Sequence, residues 1–229
     1  MRGFRKEAAA ERAHAFAAEA DGLEALRPYA RVPRVLDRGI ENGTAFILLE
    51  HLDLERGGDY AALGRMLAAL HRQTGPRFGW ARDNYIGLSP QQNAWCDSWS
   101  EFWRERRLRP QAERAGVRID LDRIELHQPP PSLLHGDLWS GNAGFTAEGP
   151  VIYDPAVYYG DREADLAMTE LFGGFPRAFY DGYNEVFPLP DGYERRKHLY
   201  NLYHLLNHLN IFGGSYLGQV NATLRFLGL

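Results

Sequence analysis

The stretch Leu133-Leu134-His135-Gly136-Asp137-Leu138-Trp139-Ser140-Gly141-Asn142, followed by Pro150-Val151-Ile152-Tyr153-Asp154, decides how the rest of the chain is read. Two apolar residues run into a loop that carries Asp137 and, five positions on, Asn142. A short β pattern with a turn at residues 146–149 then delivers Asp154, twelve positions after Asn142. Three oxygen-bearing side chains therefore stand on two adjacent loops, which is the layout of a phosphoryl-transfer site. A hydroxyl that attacks a nucleotide phosphate loses its proton, so a carboxylate must stand within hydrogen-bond reach of it. Asp137 suits that role. Magnesium among phosphates takes hard oxygen ligands and keeps several waters, so one carboxylate and one amide suffice. Asp154 and Asn142 can supply them.

A His-x-Asp triplet alone is a weak signal, because the two residues also pair at strand ends for structural reasons. The D-x-x-x-x-N spacing with a further Asp after an apolar strand is more specific and matches a kinase catalytic loop. A metallophosphatase also uses Gly-Asp and Gly-Asn pairs, but it needs several histidines around two metals. Here His135 is the one histidine between His127 and His198.

At 229 residues the chain suits one domain or two tightly joined lobes and can bury a proper core. A hydrophobic content of 45% and a net charge of -4 give no electrostatic drive toward nucleic acid or anionic membranes, and neither is expected as a partner. No apolar run approaches the length of a spanning helix, and the arginine- and glutamate-rich start is no secretory signal. The cytoplasm is the expected compartment. The single cysteine, Cys96, has no thiol partner for a disulfide or a zinc site.

Working outward, residues 3–6 read as the tail of a strand and residues 7–26 as an Ala- and Glu-rich helix ended by Pro28. Residues 32–36 and 45–50 read as strands flanking Glu41-Asn42-Gly43, a strong hairpin signal. From Asp59, helical periodicity takes over: Tyr60, Leu63, Met66, Leu67 and Leu70 share one face of a helix that reaches His71. That change of period divides a reduced β lobe, residues 1–52, from a helical lobe, residues 53–229. Residues 75–93 read as loop. Helices are expected over 94–115, 120–126, 163–171, 177–186, 192–212 and 216–227, with Pro129-Pro130-Pro131 as a stop.

Three segments resemble the fructosamine kinase (ketosamine-3-kinase) family. They are His135 through Asn142, the run from Asp154-Pro155-Ala156-Val157-Tyr158-Tyr159-Gly160-Asp161-Arg162-Glu163 to Met168, and Leu202-Tyr203-His204-Leu205-Leu206-Asn207-His208. The resemblance covers about residues 4–229. It implies an α+β, protein-kinase-like fold related to that of aminoglycoside phosphotransferases, with a truncated β lobe and a mostly helical second lobe.

The resemblance also implies site residues. Only Lys6 and Lys197 among 26 basic residues are lysine, and the resemblance puts Lys6 at the position that meets the nucleotide phosphates, with Glu19 as its partner. On sequence alone both could be solvated surface charges. Residues 46–52 read as a buried strand entering a hinge, where backbone groups at Glu50 and Leu52 face an adenine ring and their side chains need carry no chemistry. Asp161, Glu163 and Asp165 crowd a helix start, where capping is the simple explanation; in kinase-like folds such an aspartate also braces the catalytic loop, the role implied for Asp165. Trp139, Tyr85 and Tyr158-Tyr159 offer aromatic faces to a sugar, or pack in the core. His204 and His208 have an i, i+4 metal-ligand spacing but also suit a hydrogen-bonded core; the resemblance puts the row near the acceptor groove.

The function implied is ATP-dependent, Mg²⁺-assisted phosphorylation of a ketosamine, a fructosamine or ribulosamine on a small amine or glycated protein, at O3, which promotes deglycation. Phosphorylation of another small alcohol, such as an aminoglycoside or choline, is the rival within enzymes. Family members begin with further strands and a phosphate-covering loop, so a chain starting after them is expected to leave residues 3–6 as an unpaired edge, to hold Lys6 loosely against Glu19 and to bind ATP poorly. A catalytically silent binding module is the alternative from a different class.

Overall fold

The computed structural model describes residues 2–229. It opens with β1 (Gly3–Ala9), α1 (Ala13–Leu26), β2 (Val35–Glu41) and β3 (Thr44–Glu50). The strands form one antiparallel sheet in the order β1-β3-β2. Asn42 and Gly43 both have positive φ, 49° and 79°, as a two-residue hairpin turn that follows the strand twist requires.

The first strand corrects the sequence expectation. Glu7, Ala8 and Ala9, helix formers by propensity, stay extended because they pair with Phe46, Ala45 and Thr44, so cross-strand pairing overrides local preference. β1 lies at the edge of the sheet, yet it is paired along its whole length with β3. Among the described residues its outer edge has no strand neighbour, as expected, but its inner side is fully paired and Lys6 does meet Glu19, at 2.8 Å. β2 begins at Val35 rather than at residue 32, consistent with Pro33, which has no N–H for a ladder.

The chain continues through α2 (Tyr60–His71) and a short hairpin, β4 (Asn84–Ile86) and β5 (Ser89–Gln91), inside the stretch expected as loop. Helical structure from Trp99 to Ala115 is α3 (Trp99–Phe102), a π-helical segment (Trp103–Leu108) and α4 (Arg109–Ala115). The helix expected over 120–126 is only a 3₁₀ turn, Leu121–Arg123. Its backbone partners lie elsewhere: Ser100 Oγ accepts from Leu126 N–H at 2.7 Å, and Arg104 donates to the Ile124 carbonyl at 3.2 Å.

Then come β6 (Ser132–Leu134), the hairpin β7 (Ala143–Thr146) and β8 (Gly149–Ile152), and β9 (Tyr158–Gly160), which pairs with β6. The chain closes with α5 (Glu163–Leu171), α6 (Arg177–Val186), α7 (Tyr193–Phe212) and α8 (Leu217–Leu227). Among the described residues no helix is long and apolar enough to cross a membrane.

Two apolar clusters hold these elements. One surrounds Trp99, Trp103, Tyr200 and Leu206 in the helical part. The other runs from Leu23, Leu26 and Ile47 into Leu67, Leu138, Leu166 and Phe179, so the sheet and α1 share a core with α2, α5 and α6. Each fully buried leucine there contributes about 1.5–3 kcal/mol.

Candidate active site

Strand β6 is buried along its length and leads straight into His135 and Gly136. Gly136 has φ of 82°, and a Cβ there would lie 2.1 Å from the Ala156 carbonyl oxygen. Only glycine fits this turn. His135 is fully buried; its Nε2 donates to the Tyr153 carbonyl at 3.0 Å and its Nδ1 accepts the Asp137 N–H at 3.3 Å. Burial holds the imidazole pKa below its ordinary value despite nearby carboxylates.

Asp165, on α5, lies behind this loop. Burial alone would raise its pKa, but hydrogen bonding and charge from His71, with His135 and the Gly136 N–H, outweigh burial and hold it below the usual carboxylate range. Asp165 is thus an anion locked in place, and His71 at the end of α2 is in turn fixed by Tyr183, Nδ1 to hydroxyl 2.9 Å.

Asp137 sits at the mouth of the loop. Burial, then the charges of Asp165 and Asp154, push its carboxyl up to about 7, opposed by Asn142. The Asn142 amide nitrogen donates to the Asp137 carbonyl at 2.8 Å and reaches its carboxylate only at 3.4 Å. This orientation leaves the Asn142 side-chain oxygen for another partner. Asp154 follows β8 and adopts φ of 57°, an uncommon left-handed conformation for a residue with a side chain. The loop behind it is tied back by Ala156 N–H donating to the His135 carbonyl at 2.8 Å.

Lys6 completes the cluster. From β1 it donates to Glu19 of α1 at 2.8 Å and also forms an ion pair with Asp154. Burial works against the ammonium charge, but Glu19 and Asp154 outweigh it and raise the Lys6 pKa. For Glu19 burial is the stronger influence, and its pKa is raised. The residues converge on a cavity of about 270 Å³ lined by Lys6, Arg12, Tyr85, Asp137, Trp139 and Asp154, among others. A second cavity, about 340 Å³, shares Lys6 and Asp154 and adds apolar Phe4, Leu49, Leu52 and Tyr153.

A carboxyl raised to about 7, an amide oxygen and a carboxylate beside it, and a lysine paired with a helix glutamate stand around one cleft. The sequence matches the model of the fructosamine kinase family over residues 2–227. The chain belongs to the fructosamine kinase family. It is a phosphotransferase of that type.

A relative from Synechocystis sp., named "Probable ketoamine kinase", is 49% identical over 92% of this chain and 77% of its own length. A crystal structure from Haemophilus somnus 129PT, named as a fructosamine-3-kinase, superposes with a TM-score of 0.93 at 32% identity, over 98% of this chain and 83% of that one. The structure of an aminoglycoside phosphotransferase from Streptomyces rimosus, in complex with ADP and streptomycin, matches with a TM-score of 0.54 at 18% identity, over 91% of this chain and 86% of that one. That distance shows a shared fold, which is the protein-kinase-like α+β fold expected from the sequence.

Within this fructosamine kinase the other expected site residues lie as follows. The Glu50 carboxylate accepts from both terminal nitrogens of Arg31 at 3.0 and 2.8 Å and from the Arg34 N–H at 3.1 Å. The Arg31 bond, stronger than the effect of burial, lowers its pKa, so its side chain is committed to Arg31 and Arg34. Leu52 lines the apolar cavity. Tyr85, on the β4–β5 hairpin, packs against His14 with ring centroids 5.1 Å apart and lies under the Arg12 guanidinium. Trp139 is 41% exposed at the cavity edge.

His208 is not among the residues lining that cavity. It packs against Phe172, Phe212 and Tyr216, with Nδ1 bonded to the His204 carbonyl. His204 is buried, and burial takes its pKa down to about 3. His127, Asp161 and Glu163 form a compact group with potential metal-ligand atoms, but Glu163 is held by Arg196 at 2.7 and 2.6 Å and Asp161 by Tyr200 at 2.5 Å.

Sequence reasoning missed Arg12 and Asn84 in the cavity wall and His71 behind Asp165. A signal for His71 was present: it falls four positions after Leu67 on the buried face of an apolar helix, where an imidazole needs a partner.

Proposed function

We propose that this fructosamine kinase transfers the terminal phosphate of ATP to a hydroxyl of a ketosamine, such as a fructosamine or ribulosamine on a small amine or a glycated protein. A new bond forms between the acceptor oxygen and the terminal phosphorus, the bridging P–O bond breaks, and ADP leaves. The acceptor proton passes to the Asp137 carboxylate. The observation that carries this reading is the Asp137 carboxyl raised to about 7 at the wall of a cavity that also contains Lys6 and Asp154. A base works best when its pKa lies near the operating pH.

Lys6, held by Glu19, presents its ammonium to the nucleotide phosphates, and the apolar cavity beside it takes the adenine ring. Asp154 and the Asn142 oxygen fit Mg²⁺, because both are hard oxygen donors and the Asn142 amide nitrogen is already engaged by the Asp137 carbonyl. When bound there, the ion would neutralise charge on the phosphates. Asp165 keeps the Asp137 loop fixed, so the base is oriented before substrate arrives. Trp139 and Tyr85 offer aromatic faces to the sugar. Phosphorylation at O3 of the ketosamine would destabilise the adduct and favour deglycation.

The test is a panel of fructosyl-, ribulosyl- and erythrulosyl-amines against choline and kanamycin, each with Mg-ATP, with the phosphorylated position located by NMR. Faster ADP release and O3 phosphorylation with ketosamines are expected. A preference for kanamycin or choline would contradict the acceptor assignment.

A further inference from the structure

Arg107 is fully buried within the π-helical segment, and among the described residues it forms no ion pair with a carboxylate. Burying a guanidinium without an anion is unfavourable unless hydrogen bonds and ring faces replace water. Its Nη1 donates to the Gln92 carbonyl at 2.5 Å and its Nη2 to Asn93 Oδ1 at 2.7 Å. The guanidinium also lies 4.0 Å from the Tyr158 ring and 4.6 Å from that of Phe102. A π-helical turn inside an α-helix often marks a functional position, and this one carries the buried arginine.

The bonds continue away from Arg107. Asn93 Nδ2 donates to Asn84 Oδ1 at 2.8 Å, and Gln91 Nε2 donates to the same oxygen at 2.8 Å. Asn84 Nδ2 donates to the Val157 carbonyl at 2.8 Å, and Gln91 also reaches the Ala156 carbonyl at 3.1 Å. Tyr203 closes the chain from α7, its hydroxyl donating to Gln91 Oε1 at 2.7 Å. The network thus ends on the two peptides that follow Asp154-Pro155, and Ala156 is itself bonded to His135. In β4 Asn84 and Ile86 are buried and Tyr85 between them is partly exposed; Asn84 and Tyr85 both line the cavity beside Asp137.

We propose that Arg107 is a positioning residue for the acceptor: through Asn93, Asn84 and Gln91 it sets the β4–β5 hairpin, and with it the Tyr85 wall of the cavity, against the loop that carries Asp154. This rests on the cavity being the acceptor site. Arg107 does not line that cavity or the apolar cavity beside it. It reaches the site through Tyr85, which lines the acceptor cavity and not the apolar one, so its influence should fall on acceptor binding far more than on nucleotide binding.

The test is Arg107→Lys, which keeps the charge but loses the planar pair of donors, with Tyr203→Phe as a gentler variant that removes one hydroxyl and keeps the ring. With Mg-ATP and the best ketosamine, the acceptor KM of Arg107→Lys should rise about tenfold or more and the ATP KM stay within about twofold. A purely structural role would reduce the active fraction and leave both KM values unchanged; that result, or an equal rise in both, would overturn the proposal. If Arg107→Lys does not fold, Tyr203→Phe decides by the same split. If the wild-type protein phosphorylates no ketosamine, the acceptor assignment fails separately, and hydrogen exchange decides the positioning role. Faster exchange in Tyr203→Phe over residues 84–91 and 154–157, with residues 44–50 unchanged, supports it; unchanged exchange refutes it.

Discussion

Asp165 accepts the Gly136 backbone N–H at 2.8 Å with one carboxylate oxygen. With the other it accepts the His135 N–H at 2.7 Å and faces His71 Nε2 at 3.1 Å. The loop that presents Asp137 is therefore hung from the first turn of α5 by a buried anion. Asp165→Asn turns one acceptor into a donor facing another donor, and a buried mismatch of this kind costs about 2–3 kcal/mol. Urea unfolding should show that loss. Turnover should fall about tenfold or more as the Asp137 loop loses its fixed orientation. Unchanged stability and turnover would mean that the loop is held by other groups.

Lys6 pairs with Glu19 and with Asp154; with Asp154 proposed as a metal ligand, Glu19 is left to orient the ammonium. Glu19→Gln should raise the KM for Mg-ATP about tenfold, equivalent to about 1.4 kcal/mol, with little effect on the acceptor KM. Isothermal titration with a non-hydrolysable nucleotide checks the affinity directly. Equal affinities for wild type and variant would remove the pair from nucleotide binding.

The raised pKa of Asp137 fixes the pH dependence. The carboxyl must be ionised to take a proton, so kcat/KM, which reports the free enzyme, should fall as pH drops through about 7 and level off above it. The limb should steepen to about tenfold per pH unit. A profile flat from pH 8 to 5 would show that no group of this kind controls the reaction.

Asp154 and Asn142 differ in charge, and a carboxylate binds a hard cation more strongly than an amide does. Asp154→Ala should therefore raise the magnesium concentration needed for half-maximal rate more than Asn142→Ala. Titrating Mg²⁺ at fixed ATP measures this. An unchanged requirement in both variants would put the metal elsewhere.

Much of the fold was legible where local and tertiary preferences agree. The helices Glu163–Leu171 and Arg177–Val186 and the Asn42-Gly43 hairpin lie where periodicity and turn chemistry put them. The end of β1 was misread because Glu7 to Ala9 favour a helix alone and are extended only by pairing with β3. In the candidate site, Asp137, Asn142 and Asp154 stand close in sequence with an informative spacing, and the structure gathers them with Lys6 and Glu19. The Arg107 network was hidden for the opposite reason. Asn84, Gln91 and Asn93 lie in a stretch punctuated by Gly87 and Pro90 that reads as loop, and the packing of α7 and the π-helical segment buries them.

Everything proposed for the cleft depends on Asp137 acting as the base of a nucleotide-dependent phosphoryl transfer. The most direct measurement is single-turnover phosphoryl transfer to a ketosamine by Asp137→Asn, alongside nucleotide affinity. The variant should bind Mg-ATP about as tightly as wild type and transfer phosphate about 10²- to 10⁴-fold more slowly. Near-normal transfer by Asp137→Asn would show that Asp137 is not the base.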